Sequence, residues 1–152
     1  MAVTAGIHHV ALLTEDLDRF VAFYHEVFDA ALVANIVEEH GMRHAMVEVG
    51  QGAVLHAFEQ PERSDARGSA VMFGRGHLDH LALNVPDREA FEDVRARLVE
   101  VGASDGTITD FGSVCSVSFL DPDGTDAEIA LWQDGEVLTY EQRRQIPYPA
   151  RP

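Results

Sequence analysis

Eight histidines occur in this chain, and three of them, with one glutamate, fall at positions that an internal repeat makes equivalent. His9 opens the run His9-Val-Ala-Leu-Leu-Thr-Glu-Asp16, and His80 opens His80-Leu-Ala-Leu-Asn-Val-Pro-Asp87, 71 residues later. His56 stands four residues after Gly52, just as Glu128 stands four after Gly124, at an offset of 72. A lone histidine is ordinarily a solvated or packed side chain. Three on repeat-equivalent positions, with a carboxylate at the fourth, make a donor set. Neutral imidazoles and a carboxylate suit divalent Zn, Fe, Mn, Ni or Co. Four such ligands leave two neighbouring positions of an octahedron open, which a substrate with adjacent oxygens would fill.

The same repeat defines the elements that must position these groups. In the opening strand of the first copy, Ile7, His9, Ala11 and Leu13 point one way while His8, Val10 and Leu12 point the other. In the second copy, Leu78, His80, Ala82 and Asn84 oppose Asp79, Leu81, Leu83 and Val85. The Val/Leu face suits a covering helix, and the histidine face, with its small alanine, leaves room for a ligand. Helical spacing follows in both copies: Leu17, Phe20, Val21, Tyr24, Val27 and Phe28, then Phe91, Val94, Leu98 and Val101 before a stop at Gly102. Asp16 and Asp87 are the expected N-caps.

Glycine-punctuated β-runs come next: 31–37, 43–49 and 53–59 in copy one, then a weaker 107–111, 114–120 and 126–132 in copy two. Each copy reads β-α-β-β-β. The expected organisation is one α+β domain over residues 1–152, with module one at 6–60, a linker at 61–76, module two at 77–132 and a tail at 133–152. In the tail, Thr139-x-x-Gln142 is a weak capping box, so a short helix and an extended arm are expected, the arm packing on a second subunit.

Other candidates are secondary. Glu48 would be a general base if its strand presents it to the cavity, whereas on an edge strand it would simply be solvated. His8 and His77 flank the ligand positions and serve as fallback ligands, His25 lies on the polar side of its helix, and Cys115 sits in an apolar strand that predicts inert packing. Gly74-x-Gly76 lacks the rest of a dinucleotide fingerprint, and there is no GxSxG elbow.

Composition narrows the function further. The chain has 152 residues, 46% of them hydrophobic, 26 acidic residues against 11 basic and a net charge of −15. That balance repels phosphate backbones and anionic membranes, so neither nucleic acid nor membrane is an expected partner. Every basic residue is arginine, which removes lysine Schiff-base chemistry and a GxxxxGK[ST] phosphate loop. A single cysteine, no signal-peptide pattern at Met1–Val10 and no long apolar run lead to the expectation of a soluble cytoplasmic protein.

Taken together, Gly6-Ile-His-His-Val-Ala-Leu12 with Asp16-Leu17 and Phe23-Tyr24, then His80-Leu-Ala-Leu-Asn-Val85, then Leu120-Asp-Pro-Asp-Gly124 leading to Glu128 resemble the vicinal oxygen chelate superfamily. That superfamily includes glyoxalase, methylmalonyl-CoA epimerase, fosfomycin and bleomycin resistance proteins and extradiol dioxygenases. The resemblance spans about residues 6 to 132. It implies two tandem βαβββ modules forming a curved mixed sheet with helices on the outer face, a homodimer, and a divalent metal at the positions of His9, His56, His80 and Glu128.

His56 departs from the family pattern, which has a carboxylate, glutamine or other polar ligand there. Three neutral histidines and one carboxylate leave a divalent site at +1, a stronger electrophile suited to an enediolate, catecholate or similar anion. Glyoxalase-type isomerisation needs carboxylates on both sides of the substrate carbon. Glu128 is one, and Glu48 would be the second, as in epimerase-like members. The expected function is a metal-dependent isomerase or lyase that chelates vicinal oxygens of a small substrate. The first alternative is an Fe(II) extradiol-type dioxygenase using His9, His80 and Glu128, although Asp110–Ser118 lacks the proton-transferring histidine and tyrosine of such enzymes. The second is a small-molecule binding or antibiotic-resistance protein that performs no chemistry.

Overall fold

The computed structural model describes residues 3, 6–62 and 78–150. Most of the expected linker and His77 therefore lie outside the described residues. The chain divides into two compact units, Met1–Ala66 and Arg67–Pro152.

The first unit runs β1 (His9–Thr14), α1 (Leu17–Phe28), β2 (Ala31–Val37), β3 (Arg43–Glu48) and β4 (Val54–Glu59). Its mixed sheet has the order β1-β4-β3-β2, with β1 and β4 parallel and the remaining pairs antiparallel. Asp16 caps α1 by accepting the Arg19 N–H at 3.0 Å, and the helix ends at Asp29, whose φ of 53° lies in the left-handed region. The apolar stripe of α1, Leu17, Phe20, Tyr24 and Val27, is buried with Ala45, Val47, Leu55 and Ala57 of β3 and β4. Alternation then forces the next residues along each strand onto the opposite face.

The second unit repeats this plan with β5 (Leu81–Asn84), α2 (Arg88–Glu100), β6 (Ile108–Asp110), β7 (Val114–Leu120) and β8 (Asp126–Trp132). Its sheet order is β5-β8-β7-β6-β9, the extra edge strand being β9 (Arg144–Ile146). Asp87 caps α2 through the Ala90 N–H at 2.9 Å. Gly102, at φ +74°, closes the helix as its spacing predicted. Phe91 and Leu98 of the helix are buried, as are Val117, Phe119, Ala127 and Ile129 of the strands. Each fully buried Val, Leu, Ile or Phe among these contributes about 1.5–3 kcal/mol.

The tail departs from expectation. The Thr139–Gln142 contact forms, with the Thr139 N–H donating to Gln142 Oε1 at 3.0 Å, but a single turn follows it and no helix. The next residues are drawn into the sheet instead, as Thr109 pairs with Gln145 and Ile108 with Ile146. Pro147 has no N–H with which to continue a helix. The arm also docks on its own unit, where buried Arg95 donates to the carbonyls of Ile146 and Pro147.

Candidate metal centre

In the first unit the pairing register gathers the predicted donors on the face away from α1. Ala11 of β1 lies opposite His56 of β4, and His9 lies opposite Val54, so both histidines share that face. Their ring centroids are 6.0 Å apart. A metal–nitrogen bond of about 2.1 Å puts a ring centroid about 3.2 Å from the ion, so two rings can share one ion up to a separation of about 6.4 Å. The separation of the pair lies within that limit. His9 Nδ1 is 2.9 Å from His8 Nδ1, which leaves Nε2 as the nitrogen for a ligand. His8 is thus a neighbour of the donor pair.

Burial, then the proximity of His44 and His9, pushes the His56 pKa below its usual value. A neutral ring keeps the lone pair that metal binding requires. Ala11, cross-strand from His56, adds only a methyl group to this face.

Glu48 lies on the same face, two residues along β3 from Met46, the partner of His56. Its strand is interior to the sheet, between β4 and β2, and not at an edge. Its Oε1 accepts the Gly52 N–H at 2.9 Å, which ties the carboxylate to the β3–β4 turn.

Two residues beside His56 were missed in the sequence, His44 on this face and Glu38 in the turn after β2. His44 Nδ1 is 2.9 Å from His56 Nε2, and His44 Nε2 is 2.9 Å from Glu38 Oε1. His44 has the strand parity of Met46, the partner of His56. That parity was readable from the alternation of β3, but the register that makes it a neighbour of His56 was not.

The second unit carries the equivalent pair. Ala82 of β5 lies opposite Glu128 of β8, which in turn faces Ser118 of β7. His80, one residue before β5, places Nε2 3.7 Å from Glu128 Oε1. Two donors each about 2.1 Å from an ion lie at most about 4.2 Å apart, so this pair also fits a shared ion. His80 Nδ1 is 2.8 Å from Asp79 Oδ2, an outer carboxylate that orients the ring and leaves Nε2 for the ligand.

His80 and Glu128 border a cavity of about 410 Å³ whose wall includes Ser116, Ser118, Tyr140 and Arg143. The tail supplies the last two, and the Arg143 guanidinium carbon sits 3.6 Å from the Tyr140 ring centroid. Among the described residues of that wall, which include Asp79, Asp126 and Glu128, Arg143 is the only arginine or lysine.

The structure thus brings together the donors of each unit in pairs, and among the described residues no group of three or more is arranged to hold an ion. Exposed His25 turns its Nδ1 to the Ala30 carbonyl at 3.2 Å. Cys115 is 1% exposed and burial pushes its thiol pKa up, consistent with inert packing.

Each unit thus follows a βαβββ plan, with histidine and carboxylate side chains on the sheet face away from its helix. The sequence profile of the Glyoxalase/Bleomycin resistance protein/Dioxygenase superfamily matches residues 6–129, and the chain belongs to that superfamily. Its fold is similar to a glyoxylase/bleomycin resistance protein/dioxygenase domain from Frankia sp. EAN1pec, with 22% identity, 88% of this chain and 96% of that chain covered, and a TM-score of 0.69. A glyoxalase family protein from Enterococcus faecalis is 24% identical over 83% of this chain and 97% of that one, with a TM-score of 0.64. The fosfomycin resistance protein FosX from Listeria monocytogenes, complexed with Mn(II) and sulfate, is 17% identical over 92% and 98%, with a TM-score of 0.59. No curated protein matches the chain.

Proposed function

We propose that this chain is a metal-dependent enzyme that binds a small substrate through two adjacent oxygens and stabilises the oxyanion formed from it, acting as an isomerase or lyase. The observation that carries this reading is the duplicated donor pair. His9 with His56, and His80 with Glu128, each occupy the sheet face away from the helix at separations that one ion spans. These four side chains would hold a divalent ion, Fe, Mn, Ni, Zn or Co, with the pairs drawn from one chain or from two copies in a homodimer. The Mn(II) in the FosX structure supports a divalent ion on this fold.

When bound, the ion would act as a Lewis acid toward the substrate oxygens. The chain's own residues supply the rest. Glu128 would hold or return a proton at the reacting carbon, and Glu48 would serve as the second base on the face it shares with His56. Arg143, with the hydroxyls of Ser116 and Ser118, would bind an anionic or hydroxylated end of the substrate in the cavity. The setting is a soluble cytoplasmic one, a reading supported by the single buried cysteine and by the absence, among the described residues, of a helix long and apolar enough to cross a membrane.

Elemental analysis of protein purified without a histidine tag tests this directly when repeated on His80→Ala and Glu128→Ala. Stoichiometric metal in the parent and little in both variants is expected. Equal trace metal in all three would transfer the protein to the binding or resistance reading. Proton exchange at a carbon next to a carbonyl without oxygen consumption supports the isomerase or lyase, whereas oxygen uptake with catechols under Fe(II) would make it a dioxygenase.

A further inference from the structure

The chain of contacts that ends at His56 admits only one arrangement of protons while both rings are neutral. Glu38 sits in the β2–β3 turn, its N–H donating to the Met42 carbonyl at 2.9 Å and its own carbonyl accepting from Gly41 N–H at 2.8 Å. From that anchored backbone, Oε1 reaches His44 Nε2 at 2.9 Å. The His44 ring is 8% exposed and stacks on Phe58, with centroids 5.1 Å apart and planes 19° from parallel. Its other nitrogen, Nδ1, lies 2.9 Å from His56 Nε2.

An ionised carboxylate only accepts, so His44 Nε2 must carry the hydrogen. A neutral imidazole carries just one, so His44 Nδ1 is a lone pair and accepts. His56 Nε2 must then be the donor, and the His56 lone pair falls on Nδ1. Reversing any one of these assignments leaves two hydrogens or two lone pairs facing each other in at least one contact.

We propose that Glu38 and His44 are positioning residues that hold His56 in its Nε2–H tautomer, fixing Nδ1 as the nitrogen offered to the site. The offer of Nδ1 to the site rests on His56 being a metal ligand, but the tautomer does not. In a free histidine both tautomers and several ring orientations are populated. The His56 ring, packed 4.2 Å from Phe58 with the planes tilted by 36° and donating from a fixed nitrogen, has lost that freedom before any ligand arrives, which is how outer partners raise the affinity of a metal-binding imidazole. Asp79 makes the corresponding contact to His80, with the opposite nitrogen, Nδ1, engaged. His56 and His80 are therefore oriented through different ring atoms.

The test is nitrogen-15 NMR of the metal-free protein at about pH 8, above the usual imidazole range, followed by Zn(II) titration calorimetry. Wild-type His56 should show a protonated Nε2 and a bare Nδ1. Glu38→Gln should keep this pattern, because its amide oxygen can still accept from His44. Glu38→Ala should give a mixture of tautomers, as should His44→Phe, whose ring retains the stack on Phe58. Zn(II) binding should weaken about 10- to 100-fold in Glu38→Ala and His44→Phe and change less than about threefold in Glu38→Gln.

A protonated Nδ1 or a tautomer mixture at His56 in the wild type would overturn the proposal, as would an unchanged His56 signature in folded His44→Phe. If His44→Phe abolishes binding that Glu38→Ala retains in full, His44 is itself a ligand, and the positioning role is refuted. Tautomers that follow the expected pattern in a protein that binds no Zn(II), Mn(II) or Ni(II) would uphold the positioning of the ring and reject His56 as a ligand.

Discussion

Replacing Arg95 by methionine should release the arm that carries one wall of the cavity. Arg95 is 5% exposed, and its Nε donates to the Gly106 carbonyl at 2.6 Å. Its Nη2 reaches the carbonyls of Ile146 and Pro147 at 3.4 and 3.3 Å, and the guanidinium lies 4.9 Å from the Tyr148 ring centroid. The short charged bond contributes about 2 kcal/mol and the two long ones about 1 kcal/mol together. The aromatic contact adds about 0.5–1 kcal/mol. The ion pair with Glu92, itself 45% exposed, adds little in water. Methionine recovers about 1 kcal/mol of that by packing its apolar chain along the same path.

The net loss is about 3 kcal/mol, or a fall in Tm of about 6–12 °C for a chain of this size. Because β9 hangs on β6 and on this one guanidinium, amides 144–146 should also exchange faster than those of β7. Hydrogen exchange read by mass spectrometry, beside thermal unfolding, measures both. A loss below about 1 kcal/mol, with exchange at 144–146 unchanged, would show that the arm is held by its strand pairing alone and would refute this account.

Two further outcomes follow from individual contacts. Asp79→Ala should weaken divalent metal binding by about 10- to 100-fold, because the acceptor that orients His80 Nδ1 is lost; calorimetry with Zn(II) reads it, and unchanged affinity would remove His80 from the donor set. Burial raises the Asp121 pKa above its usual value of 3.8, although its Oδ1 accepts the N–H groups of Asp123 and Thr125. A raised folded-state value means that the favourable contribution of Asp121 is complete below about pH 3.8 and declines as pH rises through the folded pKa. The stability of the wild type relative to Asp121→Asn should therefore fall with rising pH above 3.8, measured by urea unfolding across that range, and a difference that rises instead would reverse the assignment.

Much of the plan was legible in the sequence because the signals involved are local. The 31–37, 114–120 and 126–132 runs match β2, β7 and β8 residue for residue, and both aspartate caps form as expected. The tail misled because its capping box is real but short-ranged. Thr139 and Gln142 do meet, yet the residues beyond gain more from pairing with β6 and from the Arg95 guanidinium than from one more helical turn. Glu38 and His44 stayed hidden because the offset of 72 carries His44 onto Ser116 and not onto a second histidine or carboxylate, and only the folded hairpin brings them together beside His56.

From its own pattern, the chain determined a duplicated half, the division of each strand into a packed and an open face, and the residue types on the open face, since periodicities of two and 3.6 need no knowledge of distant partners. Tertiary structure alone decided the registers that set Ala11 beside His56 and Ala82 beside Glu128, and it decided which nitrogen of each histidine is already engaged. Those choices depend on hydrogen bonds between strands far apart in sequence, and a shift of one residue in either register would have turned each donor to the buried side of its sheet.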